Sequence, residues 1–99
     1  VSRDDTDLLH DRSRLAIVSL LATSSSDELP FTFIQEKTGL TAGNLSSHLR
    51  TLENAGLVSL TKQFQGRRPL TTIVLTSTGR TTFDAFIREM ESLIRGYRE

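Results

Sequence analysis

Residues 33–75 read FIQEKTGLTAGNLSSHLRTLENAGLVSLTKQFQGRRPLTTIVL, and their apolar period changes within that stretch. Thr32 and Gln35 have the spacing of a capping box, in which each side chain satisfies a backbone N–H of the other. The spacing predicts a short helix over 32–38 with Phe33 and Ile34 facing inward. Gly39 stops it by accepting a left-handed conformation, and Thr41 is the next N-cap candidate. Over 42–55, Leu45, Leu49 and Leu52 recur at i, i+4, i+7, the single buried stripe of a helix. Ala55-Gly56 closes that helix, and the period then falls to two. Val58, Leu60 and Phe64 alternate with small polar residues, as in a half-buried strand. Gln65-Gly66-Arg67-Arg68-Pro69 reads as a hairpin tip, and residues 70–76, rich in Thr, Ile, Val and Leu, as the return strand. Two helices joined by a Gly turn and followed at once by a basic hairpin over 57–76 decide the fold.

Outward from that stretch, Leu8, Leu9, Leu15, Ile17, Val18, Leu20 and Leu21 predict a first helix over 7–22. Thr23-Ser24-Ser25-Ser26-Asp27 ends it, because these side chains compete for backbone hydrogen bonds. Pro30-Phe31 is a candidate small strand that pairs with the later hairpin. A last helix is expected over 77–97, where Phe83, Ile87, Met90, Ile94 and Tyr97 are spaced 4, 3, 4, 3 and Phe86 and Leu93 widen the seam. That seam is wider than one small core covers. It is therefore expected to pack with the first helix, through Leu8 and Leu9, across a two-fold axis as a dimer interface. The fold class expected is α+β, mostly α, in one domain over 1–99: a winged helix-turn-helix with a two-stranded wing hairpin and a long C-terminal helix.

Composition bounds the chemistry. Ninety-nine residues make one core, and a chain of that size buries only about two-thirds of its unfolded surface, so self-association is a natural source of stability. There is no cysteine, and His10 and His48 lie far apart, so no metal site is expected. No apolar run is long enough to span a membrane. The N-terminus lacks a basic flank and an apolar signal core, which points to the cytoplasm. Val1 in place of a start methionine implies a trimmed chain or part of a longer one. Neither a Gly-x-Ser-x-Gly elbow, nor a phosphate-cradling glycine loop, nor a His/Glu metal pair occurs, so no enzyme and no cofactor are expected.

Net charge is zero, with 12 basic and 12 acidic residues, but the signs are segregated. Between Asn54 and Phe83 stand Lys62, Arg67, Arg68 and Arg80 and no acid, whereas acids gather near both ends. A basic middle in a neutral chain fits a binding face for a polyanion. On the second helix of the pair, Asn44, Ser47, His48 and Thr51 fall at i, i+3, i+4, i+7, all polar and none acidic. Asn44 has the groups to bond adenine in a bidentate way. Ser47 and Thr51 suit bases or phosphates, and His48 suits guanine or phosphate. Thr41 at the start of this helix and Arg50 within it complete the candidate DNA-binding residues of the helix. Arg67 and Arg68 on the tip, with Lys62 on the strand leading to it, reach phosphates or a minor groove.

The segments Leu-Thr-Ala-Gly-Asn-Leu-Ser-Ser-His-Leu (40–49), Leu-Glu-Asn-Ala-Gly-Leu-Val (52–58), Phe-Gln-Gly-Arg-Arg-Pro (64–69) and Leu-Thr-Ser-Thr-Gly-Arg (75–80) resemble the small winged-helix transcriptional regulators related to the MarR and ArsR families. The resemblance implies a homodimer that binds double-stranded DNA at an imperfect palindrome and usually represses. It carries DNA contact onto Asn44, Ser47, His48, Arg50, Arg67 and Arg68. The cysteine clusters of metal-sensing relatives are absent, and no residue points to an effector ligand. The alternative reading is a winged helix that binds protein and not DNA. There the same polar helix face and wing would contact another chain.

Overall fold

A computed structural model describes residues 3–99, with side chains from Asp5 onward. Helix α1 spans Arg3–Asp7, a 3-10 turn covers Leu8–His10, and α2 spans Arg12–Thr23. The one helix expected over 7–22 is therefore interrupted, and the cause is Asp11. Its backbone is extended (φ −87°, ψ 126°) and its carboxylate accepts the Arg14 backbone N–H at 3.0 Å, so it caps a new helix and ends the old one. The Arg14 guanidinium locks the corner by donating from Nε to the Leu8 carbonyl at 2.8 Å.

Strand β1 (Glu28–Pro30) pairs antiparallel with β3 (Arg68–Leu75), which pairs antiparallel with β2 (Val58–Gln65), giving a three-stranded sheet in the order β1-β3-β2. Pairing of Pro30 with Thr72 holds the chain extended up to Pro30, and α3 (Phe31–Thr38) starts directly after it. The N-cap is consequently Pro30, with no side-chain bond, and the capping role expected of Thr32 is not used. Gly39 (φ 74°) ends α3 as its backbone N–H returns to the Gln35 carbonyl. Helix α4 (Ala42–Asn54) begins at Thr41, whose hydroxyl accepts the Asn44 N–H at 3.1 Å.

Leu45, Leu49 and Leu52 of α4 are fully buried in one core with Ile17, Val18 and Leu21 of α2, Ile34 of α3, and Val58 and Ile73 of the sheet. Helix α5 (Ser77–Arg98) is capped by Thr76, which accepts from the Gly79 N–H and donates to the Gly56 carbonyl at 2.6 Å. These bonds tie the end of α4 to the start of α5. Gly79 lies so close to the Leu57 carbonyl that a side chain there would overlap backbone.

Two parts leave this body and stretch the molecule to 56 × 25 × 24 Å. One is the distal half of the β2–β3 hairpin, where residues 61–69 are all exposed. Phe64, expected on the half-buried face of its strand, is 76% exposed because the hairpin outruns the core at that level. The other is the end of α5, where residues 91–99 are all exposed.

Candidate nucleic-acid interface

Burial of the leucine stripe fixes which side of α4 faces outward. Thr41, Asn44, Ser47 and Arg50 are exposed, while His48 and Thr51 are only partly so. Thr51 donates its hydroxyl to the Ser47 carbonyl at 3.3 Å. These expected positions separate into three sectors of the helix. Asn44 and Ser47 occupy the outermost one, beside Gly43, where an added Cβ would meet nothing within 4 Å. Arg50 turns toward the sheet. His48 turns the other way, toward α2.

Arg50 and Ser46 line a groove of about 420 Å³ with Leu60, Lys62 and Thr71 of the hairpin. Among the described residues neither Arg50 nor Lys62 makes an ion pair, although Glu53 lines the same groove. Two long-stemmed cations thus face one cleft between helix and hairpin that a single carboxylate shares, a seat that suits an anionic backbone.

His48 is less free than its sequence position suggests. Its Nδ1 lies 3.2 Å from Nη1 of Arg14. Because a guanidinium only donates, Nδ1 accepts in this bond and the ring proton sits on Nε2, the nitrogen left for an outside acceptor. Arg14, absent from the sequence-based candidates, therefore orients His48. The Asp11-x-x-Arg14 spacing before an apolar run signals the cap, but nothing local signals the reach to α4. Asp11 itself titrates below its ordinary value, chiefly because it accepts the Arg14 backbone N–H, with the nearby Arg14 charge and the Ser13 backbone N–H adding to the effect against some desolvation.

The hairpin tip is built by a two-residue loop, Gly66-Arg67, between the paired Gln65 and Arg68. Gly66 has φ 68° and Arg67 does not share the positive sign, the pattern of a type II′ turn that matches strand twist. The next pair inward, Phe64 and Pro69, is then a non-hydrogen-bonded pair, so the N–H that proline lacks would have pointed away from β2. Strand β1 does not reach that far, and Pro69 is accommodated without sacrificing a ladder bond. Arg67 and Arg68 are exposed on this tip and have no acidic partner among the described residues.

Arg80, counted with the basic middle of the sequence, does not belong to this surface. It bonds the Asp27 carboxylate and the Ala22 carbonyl, tying α5 to the loop before β1. Asp27 holds φ 60° at that loop, a cost the ion pair helps offset.

The residues expected at a dimer interface also divide. Leu9 and Phe86 are buried inside the protomer, because the 3-10 turn folds back on α5 and sets the His10 ring edge-on to Phe86 at 5.2 Å. Leu8, Phe83 and Met90 pack partly on the same core. Ile87, Leu93, Ile94 and Tyr97 remain exposed, Tyr97 at 91%.

A helix seated by a leucine stripe, with a polar acid-free outer sector and a projecting cationic hairpin beside it, is the binding side of a winged helix-turn-helix. The chain belongs to the winged helix DNA-binding domain family, whose profile matches residues 13–94. That is a family of DNA-binding domains and not of enzymes. A transcriptional regulator homologue from Pyrococcus horikoshii is 34% identical and superimposes with a TM-score of 0.83 over 92% of this chain and 88% of that one. The fold is also that of MarR-family regulators. AbsC of Streptomyces coelicolor has a TM-score of 0.70 at 23% identity, over 96% of this chain and 57% of that one. MepR of S. aureus, solved in complex with DNA, has a TM-score of 0.75 at 21% identity, over 97% and 81%. Among the described residues no helix is long and apolar enough to cross a membrane, and no cluster of three or more His, Asp or Glu could hold a metal ion.

Proposed function

We propose that the protein is a transcriptional regulator that binds a pseudo-palindromic site on duplex DNA as a homodimer and represses from it. The observation that carries this reading is the placement of Arg50 and Lys62 on the groove between α4 and the hairpin. It puts positive charge on both walls of a cleft flanked by the free Asn44–Ser47 sector. In this assignment Asn44, Ser47 and the Nε2–H of His48 read base edges, helped by Thr41 and Thr51 at the margins of that sector. Arg50 and Lys62 hold phosphates, and Arg67 and Arg68 reach phosphates or the minor groove. The homodimer is supported by the exposed apolar end of α5, and the DNA partner by family membership and by the DNA-bound fold of MepR.

The test is fluorescence anisotropy of a labelled duplex at two salt concentrations. Six to ten phosphate contacts by a dimer should weaken binding roughly 10³–10⁵-fold between about 50 and 200 mM salt. Arg67→Ala with Arg68→Ala should lower affinity for all sequences alike and flatten the salt slope by about one for each phosphate no longer neutralised. A folded protein with no duplex affinity at low salt would instead favour a protein-binding role for the same surface.

A further inference from the structure

Phe64 stands 76% exposed on the hairpin, two residues before Gly66. On the projecting tip the phenyl ring keeps most of its apolar surface in water, where a partner that covered it would gain the burial the protomer does not supply. Strand alternation says where the ring points. Leu60, Lys62 and Phe64 share one face of β2, and their cross-strand partners are Ile73, Thr71 and Pro69. Ile73 is buried in the core, and Leu60, Lys62 and Thr71 line the groove against α4. Phe64 is the next step of that row, on the α4-facing side of the hairpin but beyond the protein's own cover. Opposite it, Pro69 adds a second apolar, rigid ring.

The surroundings say what the partner is. Lys62, Arg67 and Arg68 flank the pair, and no acid occurs between Asn54 and Phe83. An apolar pair ringed by cations repels a basic partner and leaves the cations unmatched against a purely apolar one. It suits a polyanion whose grooves are walled by apolar sugar rings. The duplex minor groove has that character, with phosphates at its rims and sugar and base edges between them.

We infer that Phe64, backed by Pro69, is a minor-groove wedge. Its ring packs on deoxyribose and opens the base step beneath the hairpin while the arginines hold the phosphates on either side. Such a wedge adds sequence preference without a base hydrogen bond, because pyrimidine–purine steps unstack at least cost. The inference rests on the DNA-binding reading, and the experiment separates the two.

The probe is the duplex that the wild-type protein enriches from a random-sequence pool. Phe64→Ala should bind it about ten-fold or more weakly, with the salt slope unchanged because every phosphate-neutralising cation is still in place. Arg67→Ala with Arg68→Ala should lower both affinity and slope. The chain contains no tryptophan, so Phe64→Trp supplies a lone indole. Its emission should change on saturating duplex, and acrylamide should quench it less. If Phe64→Ala binds within about two-fold of wild type, or the indole stays as accessible in the complex as in the free protein, the wedge is wrong. DNA binding still stands in that case provided the arginine variant loses affinity. A wild-type protein that enriches no duplex overturns both.

Discussion

Asp11 is a single side chain that sets both the corner between two helices and the position of Arg14, and through Arg14 the tautomer of His48. Its folded carboxyl titrates below the ordinary value, so the stability it adds is fully present above about pH 4 and is lost as pH falls through the lower, folded value. Asp11→Asn keeps the cap acceptor and removes the titration. Urea midpoints of the two proteins should be close at neutral pH, and the wild type should lose ground to the variant on acidification below about pH 4. Asp11→Ala should cost about 1 kcal/mol at neutral pH. Two helical glycines give opposite signs for one substitution. Gly79→Ala should destabilise by about 1–3 kcal/mol, since the new methyl meets the Leu57 backbone and that clash exceeds the helix-propensity gain. Gly43→Ala meets nothing within 4 Å and should stabilise by roughly 0.5–1 kcal/mol. If Gly43 is open because DNA approaches its backbone, the same variant should bind operator more weakly, which denaturation and anisotropy on one preparation would reveal.

Helix α5 divides at Met90 between two environments. Up to that point its apolar residues mostly serve the protomer, with Phe86 buried and Phe83 and Met90 packed on the core. Beyond it the same periodic seam continues through Leu93, Ile94 and Tyr97 in the open. Replacing Leu93 and Ile94 together by serine should therefore leave urea stability of the isolated protomer nearly unchanged and shift sedimentation toward a monomer. Phe86→Ala should instead cost about 3–5 kcal/mol of protomer stability by opening a cavity. A dimeric Leu93/Ile94 variant would remove the α5 end from the proposed interface. The hairpin is divided in a similar way, with its root in the sheet and its tip supported by strand pairing and the Gly66-Arg67 turn.

For the whole molecule, the neutral total charge conceals a polar arrangement. Cations whose nearest sequence neighbours include no acid lie along the hairpin, with Arg50 across the groove from them, while Arg80 is neutralised by Asp27. Encounter with DNA should accordingly be oriented by the hairpin side and depend steeply on salt despite the zero sum. A two-fold dimer through α5 would present two α4 helices about one DNA turn, roughly 34 Å, apart. Inserting about 5 bp between half-sites should abolish tight binding, by placing them on opposite faces of the duplex. Retained affinity would mean that each protomer binds alone.

Much of this is legible from residues near one another in the chain. The leucine stripe of α4, the Thr41 cap, the Gly39 stop, the hairpin and its tip, and the long last helix each rest on spacing within a few residues, where backbone geometry and side-chain periodicity act directly. The break at Asp11 escapes such a reading because the leucines on both sides keep a helical apolar pattern, whereas one carboxylate–N–H bond decides the matter. What tertiary structure alone decided is who meets whom across long separations. Arg14 reaches His48 34 residues away, and Arg80 leaves the basic middle for Asp27, 53 residues away. Leu9 and Phe86 go inside while Leu93, Ile94 and Tyr97 stay out. A sequence marks which residues are apolar or charged, but burial and pairing depend on where the core ends, and only packing of the whole chain sets that limit.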